Sequence, residues 1–492
     1  MSSAVRISGL VLVAVILSLS LAAQQAPEES PPVINETIDV RVVNVETVVT
    51  DAQGRRVRGL GREDFRLLVD GREVPVEYFS EMEEGRAAAG REAAVPPGGP
   101  GRSYLVFLDD SFSIAAHRNS VLAGIAADLD RLGPEDRMAV LAFDGRKLDL
   151  LCPWTADHSA LATALAAARQ RSTGGGQLIA QADDMDLDVE LAKAVGASKM
   201  TLEMLAARRN EEASSQAGYT TGALAAALEG FAAPPGRKVL FLITAGWQIV
   251  RAPGSYGPII RTANRLGYTM YPVDTVNLDR MPADALEWLA GTTGGKVVKT
   301  RLDHSAFAEA LADSGSYYGL GFTPAWKGND RGHQIRVEVR RSGVAVRSRQ
   351  SFTDLSRQGQ TAMRAESLLY FNGQEKDRRL RVELGKARPA GRSEVEVPVV
   401  LGVPVVSLQV MPEGKSYAAE VPLAIALVDE RGRHASLPGA RLRVTFKELP
   451  KAGGYARFKT VIKLRKAQQH IVFAVDDPVA GAVLWGEARV SL

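Results

Sequence analysis

Asp109, Ser111 and Ser113 occupy alternate positions in the stretch Asp109-Asp110-Ser111-Phe112-Ser113. One carboxylate and two hydroxyls so close together form an all-oxygen donor set, which suits a hard cation such as Mg²⁺ or Ca²⁺. The apolar run Tyr104 to Leu108 comes directly before them. Val121, Leu122, Ile125, Leu129 and Leu132 follow at helical spacing. A strand, a short loop and a helix are therefore expected in succession. In an open α/β sheet that junction lies beyond the carboxyl end of a strand, where ligands bind. The helix N-terminus favours an anion nearby. The plainer role of the same residues is local, with Asp109 capping the helix and the two serines satisfying loop amides.

The elements that must position this loop follow a βα rhythm. Met138 to Phe143, Val239 to Thr244, Tyr268 to Val273 and Lys296 to Val298 read as strands. Leu161 to Ala168, Leu224 to Phe231 and Ala283 to Ala290 read as helices, the second stopped by Pro234-Pro235-Gly236. Short continuous apolar strands alternating with helices imply a doubly wound, mostly parallel sheet over 103–314. Residues 171–220 fit that rhythm poorly. They hold a Gly175-centred loop, the acidic stretch Asp183 to Asp188 and a polar helix-like segment at 187–213, and are read as an insertion.

The flanks are β-rich, and the chain is expected to be multi-domain. A small N-terminal β unit covers 31–82. In it Val40 to Thr50 alternates, and Phe65 to Val69 leads into Asp70-Gly71, a strong hairpin signal. The Gly/Pro/Ala-rich stretch 83–102 reads as a linker. Strands at 315–356 are expected to extend the edge of the central domain, 357–392 to be a linker, and 393–492 to form an antiparallel β-sandwich.

Bulk properties narrow the function. The 492 residues suffice for about three domains at roughly 150 each. Lys+Arg 60 against Asp+Glu 57 leaves a net charge of +3, and this balance speaks against a nucleic-acid partner. Residues 1–23 have the form of a secretory signal peptide. Arg6 is followed by the apolar run Leu10 to Leu21, and small residues place cleavage after Ala22 or Ala23. A retained anchor is the alternative, but the run is short for a spanning helix of about 20 apolar residues. No other stretch is apolar enough to span. The protein is expected to be exported, whether periplasmic, envelope-associated or secreted, with no membrane span after cleavage. Cys152 is the only cysteine and reads as a small buried hydrophobe, although His158 is near in sequence.

Asp-x-Ser-x-Ser after the first strand of a parallel sheet resembles the metal-ion-dependent adhesion site of von Willebrand factor A-type domains. The wider chain resembles exported bacterial von Willebrand A-related proteins of the Acidobacterial type. The residues that carry this are Val45-Glu46-Thr47-Val48, Asp51 to Gly54, Leu60, Asp64-Phe65, Asp70-Gly71, Pro235-Gly236-Arg237-Lys238, Thr293-Gly294-Gly295 and Tyr317 to Pro324. The resemblance covers roughly 38–352. It implies a non-enzymatic, adhesion-type module that binds a protein ligand, with Asp109, Ser111 and Ser113 holding Mg²⁺ or another divalent cation completed by a partner carboxylate.

Two departures weaken that metal site. The family adds a threonine from a Gly-Gly-Thr loop and an aspartate after the fourth strand. Here the corresponding positions read Gly175-Gly176-Gln177 and Thr244-Ala245-Gly246. Ala245 offers no ligand, and cation affinity follows the number and charge of oxygen ligands. Thr173, Thr220 and Thr221 are candidate substitutes for the threonine, and Asp183 or Asp184 for the charge.

Ser113 with His117 is a conceivable nucleophile and base, which makes an envelope serine hydrolase the weakest reading, since no Gly-x-Ser-x-Gly elbow is present. The scattered histidines lack zinc spacing. Gly174-Gly175-Gly176 lacks a phosphate-loop Lys and reads as a flexible hinge. Trp247 is placed either to touch a partner or to pack, and Asp274 reads as a turn residue. A structural scaffold with a decayed metal site stands as the main alternative to the binding module.

Overall fold

The computed structural model describes residues 42–84, 86–87, 101–177, 180, 190–231, 233–234, 236–244, 256–275, 284–299, 305–370, 379–430, 434–451, 453–477 and 481–491. All lie within the unit Val42–Leu492. The signal-like segment 1–23 is outside the described residues, as are Asp183, Asp184, Ala245 and Trp247. No described helix is long and apolar enough to cross a membrane.

The central domain is an α/β sheet. Its strands are β1 (Arg102–Asp109), β2 (Arg137–Phe143), β3 (Leu148–Thr155), β4 (Arg237–Thr244), β5 (Tyr268–Asp274) and β6 (Val298–Lys299). Their order is β6-β5-β4-β1-β2-β3. Every pairing is parallel except β2 with β3. The chain therefore builds outward from β1 in one direction, then returns to its other side at β4. The crevice between β1 and β4 is the point where strand order reverses, the usual ligand position in such sheets.

Helices cover both faces, which explains why β1 is buried along its whole length. Tyr104, Val106 and Leu108 pack under α1 (Ala115–Ala127), α2 (His158–Ala168) and α6 (Ala306–Gly315). Leu105 and Phe107 face α3 (Lys199–Gly230), α4 (Gly257–Leu266) and α5 (Asp284–Thr292). Strand side chains alternate faces, so a strand apolar on both must be roofed twice. Each large apolar side chain so buried contributes about 1.5–3 kcal/mol. Local signals set the helix starts. Asp157 accepts from the Ser159 and Ala160 amides ahead of α2, Ser198 from Thr201 ahead of α3, and Ser305 from Ala308 ahead of α6. The helix expected over 187–213 is broken near Gly196 (φ +74°), and α3 begins at Lys199.

The strands at 317–354 do not extend the six-stranded sheet. They complete a two-sheet β body with the N-terminal strands. Val43–Asp51 lies between Tyr317–Phe322 and Val344–Ser348, and Phe65–Val69 pairs with Arg331–Val339. Val45, Leu67, Phe79, Leu320, Phe322 and Ile335 form its core. Pattern explains the choice. These strands alternate and carry one apolar face, which needs another such face opposite, whereas the edge strand β6 is only two residues long. The Asp70-Gly71 turn takes φ +49° and +79°, the left-handed pair that a two-residue hairpin loop requires.

Two sheets form the C-terminal sandwich. One is built on Glu394–Pro404 paired with Tyr455–Arg465. The other is built on Ser416–Asp429 between His434–Phe446 and Gln469–Asp477. Val399, Leu401, Phe458, Leu423 and Phe473 fill the space between. The stretch expected to be a linker from 357 contains α7 (Arg357–Tyr370), which lies against the outer face of the second sheet. That face is made of small residues, Ala424, Ala426 and Ala474, beside Val472 and Trp485. Small side chains let a helix approach the sheet closely.

Candidate functional site

Asp109 ends β1 fully buried, and the chain turns sharply after it. Its Oδ1 accepts from Ser111 Oγ at 2.6 Å and from the Phe112 amide at 3.3 Å. Its Oδ2 accepts from Thr244 Oγ1 at 3.0 Å, across the crevice on β4. The Ser113 amide donates to the Asp109 carbonyl at 3.0 Å. Ser113 is itself fully buried, and its Oγ has no hydrogen-bond partner among the described residues. The helix that follows is capped by Ile114 without a side-chain acceptor, so Asp109 is not its N-cap. Of the three residues singled out from sequence, the side chains of Asp109 and Ser111 meet at the carboxyl end of β1, and Ser113 is tied to Asp109 through its backbone amide.

A fourth oxygen joins them from far along the chain. Thr220 Oγ1 lies 3.3 Å from Ser111 Oγ, and Thr220 is almost wholly buried on α3. Gln177 was the expected threonine position, but it is exposed and takes no such place. The 171–220 insertion accounts for the displacement, because the glycine loop lies at its start and the hydroxyl comes from its last residue, on α3. The available signal was Thr220-Thr221-Gly222 immediately before the apolar start of that helix. Thr221 instead donates to the Gly218 carbonyl within the helix.

The glycine loop is a packing element and not a hinge. The Gly174 amide donates to the Asp110 carbonyl at 2.8 Å, and the Gly175 amide to the Ser113 carbonyl at 3.1 Å. A Cβ on Gly175 would sit 2.5 Å from the Phe112 carbonyl oxygen and 2.6 Å from that of Ser113. Only glycine permits this approach.

Beneath the loop, Asp110 is held by two guanidinium groups. Arg118 Nη1 on α1 and Arg171 Nε each reach its carboxylate at 2.6 Å. Arg171 also reaches Asp149 on β3 at 3.0 Å, and Arg118 Nη2 donates to the Arg171 carbonyl at 2.9 Å. Burial would raise the Asp149 carboxyl, but Lys147 and Arg171 hold it below the ordinary carboxylate range. Sequence reasoning missed this network, since nothing in the spacing of Asp110, Arg118 and Arg171 points to contact.

The remaining candidates separate from the site. His117 is exposed on α1. Among the described residues Ser113 Oγ has no hydrogen-bond partner, so His117 is not paired with it. His158 Nδ1 lies 3.3 Å from Asp130, and Cys152 is buried, with burial raising its thiol. Among the described residues no group of three His, Cys, Asp or Glu side chains has metal-binding geometry. A site built from one carboxylate and hydroxyls falls outside that pattern. Ala245 and Trp247, which follow β4 in sequence, lie outside the described residues, as does the side chain of Asp274.

No family model and no curated protein sequence matches the chain. Solved structures give distant likenesses. The von Willebrand factor domain of the type V pili tip protein Mfa5 from Porphyromonas gingivalis is 17% identical, covering 14% of this chain and 26% of that one, with a TM-score of 0.11. The chain thus spans about a quarter of that structure. The N-terminal domain of TFIIH p34 is 12% identical over 43% of this chain and 96% of its own, TM-score 0.22. Manganese-loaded TRAP protein from Plasmodium vivax is 8% identical over 55% and 96%, TM-score 0.26. Scores this low carry no weight for function, which must come from this chain's own residues.

Proposed function

We propose that the chain is an exported, non-enzymatic binding module of von Willebrand A-like build. In this reading Asp109, Ser111, Ser113 and Thr220 hold a divalent cation at the mouth between β1 and β4, and a protein partner supplies a carboxylate to it. The observation that carries the reading is the Ser113 hydroxyl, fully buried in the same loop as Asp109 and without a hydrogen-bond partner among the described residues. Leaving such a group unsatisfied costs about 1–3 kcal/mol. A hard cation is a natural recipient for its lone pairs and for those of the neighbouring oxygens. The cation would supply Lewis acidity toward an acidic ligand. The protein supplies a preformed oxygen set, held by the Asp110 clamp and the Gly174-Gly175 contact. Export rests on the form of residues 1–23.

A second reading, a structural scaffold with a decayed site, is favoured by the three hydrogen bonds that Asp109 already accepts from Ser111, Phe112 and Thr244. Thermal melting with Mg²⁺ or Mn²⁺ against chelator separates the two. A ligand that binds only the folded state raises its melting temperature. The binding module requires a rise at millimolar metal that disappears in Ser113→Ala. Identical melting curves with metal and with chelator would leave the scaffold standing.

A further inference from the structure

We propose that Tyr370 is a positioning residue that couples the C-terminal sandwich to the Asp109 site by bracing the turn of α3 that carries Thr220. It stands at the end of α7 and belongs to two apolar clusters at once, the one roofing the central sheet and the one under the sandwich. Its ring meets Phe143 edge-on at 6.4 Å and 67°, and stacks on His434 of the sandwich at 4.6 Å and 10°. Phe143 is the β2 residue paired with Asp109, and its carbonyl accepts the Asp110 amide at 2.9 Å.

On the other side Tyr370 lies against α3. A Cβ on Gly222, two residues beyond Thr220, would be 3.7 Å from the Tyr370 hydroxyl. Lower on the same helix pair, Arg364 donates to the Glu229 carbonyl at 3.0 Å, fixing α7 along α3. Ser436 of the sandwich donates to Glu366 of α7. Tyr370 therefore meets the strand end behind Asp109, brings its hydroxyl beside the turn of α3 that carries Thr220, and stacks on His434, the first residue of the sandwich strand His434–Phe446. A shift of the sandwich on α7 moves two of the site's oxygens relative to each other.

This deepens the reading of the site as a cation-assisted binding surface and rests on it, but the coupling is measurable without any metal. Hydrogen–deuterium exchange on the full chain would follow the peptides spanning 105–116 and 217–224. Tyr370→Leu, which keeps apolar volume and loses the ring's reach, is expected to speed exchange in both peptides by about fivefold. Tyr370→Phe keeps the ring on Phe143 and loses the hydroxyl beside Gly222, so it is expected to leave 105–116 within about twofold of the wild type and to speed exchange at 217–224 alone. Leu464→Ala, inside the sandwich core and away from α7, should leave both peptides unchanged. Should Tyr370→Leu not fold, His434→Ala removes the stacking partner and should move the same peptides in the same direction.

Unchanged exchange in the folded Tyr370→Leu protein, or an equal change in Leu464→Ala, overturns the coupling. Mn²⁺ titration of the same proteins addresses the cation. Tyr370→Leu is expected to weaken Mn²⁺ binding about tenfold against wild type, equivalent to about 1.4 kcal/mol. A wild type that ignores Mn²⁺ overturns the cation reading alone, and the exchange data then decide the coupling.

Discussion

Asp110 and Arg118 meet at 2.6 Å with both side chains shut away from solvent. A buried ion pair of this kind is not in itself a large source of stability, because desolvating two charges offsets most of their attraction. Its weight lies in what happens when one member is removed. Asp110→Ala leaves the Arg118 guanidinium buried without its carboxylate, and Arg171 loses one of its two. The expected cost is about 3–5 kcal/mol to the central domain, read from urea unfolding. Arg171→Ala leaves Arg118 in place on Asp110 and should cost clearly less. Equal losses in the two variants would contradict this ordering.

Gly175 makes a steric prediction. An added methyl group at that position meets two carbonyl oxygens of the Asp109–Ser113 loop at 2.5 and 2.6 Å, whereas Gly176 has nothing within 4 Å. Gly175→Ala is expected to destabilise by about 1–3 kcal/mol and to remove any metal-induced rise in melting temperature. Gly176→Ala should be nearly silent in both. A silent Gly175→Ala would mean that the loop yields without consequence for the site.

Where sequence reading succeeded, a residue type reported its own surroundings. β1 and β4 are continuous apolar runs because helices roof both faces. Asp70-Gly71 announces a hairpin because few residues take positive φ. Asp109 and Ser111 share a short loop, and their side chains meet in it. Reading failed where the deciding contact is long-range. Thr220 stands 109 positions after Ser111, at the far end of the 171–220 insertion, so chain spacing pointed to Gln177 instead. Strands 317–354 carry alternation but no sign of which sheet they join. That was set by the apolar face of Val43–Asp51, which lies some 270 positions earlier. Gly174-Gly175-Gly176 looked like a hinge because composition does not distinguish freedom from close approach.

Asp313 links the β body to the central domain and predicts an acid response. Arg347 Nη2 and Tyr271 Oη reach its Oδ2 at 2.7 and 2.8 Å, and Arg56 contacts its Oδ1 at 3.1 Å. Burial alone would raise this carboxyl, but Arg347, Arg56 and Lys296 outweigh it and hold the group below its ordinary value of 3.8. A depressed carboxyl contributes stability that is present above the unfolded value and lost as pH falls through the folded one. Asp313→Asn should therefore lower the melting temperature at pH 6, with the gap to wild type narrowing below about pH 4. A gap that stays constant down to pH 3 would remove the charge from the explanation.

His434 responds in a different window. Stacked on Tyr370 and buried, it is pushed down to about 4 by loss of solvation, with Asp429 pulling weakly the other way. The unfolded chain takes up a proton near 6.5, while the folded chain resists until about 4. Between those values the unfolded state binds more protons, so stability rises with pH across the interval and falls as the solution is acidified. His434→Phe keeps an aromatic ring on Tyr370 and removes the titrating group. Its melting temperature should be flatter than the wild type's between pH 4 and 6.5, and the two should converge toward pH 7. Because the ring that His434 covers also lies beside the turn carrying Thr220, protection at 217–224, corrected for the intrinsic pH dependence of amide exchange, should fall in the wild type as the solution is acidified over the same interval and stay level in His434→Phe. Matching slopes in the two proteins would place the acid response elsewhere in the chain.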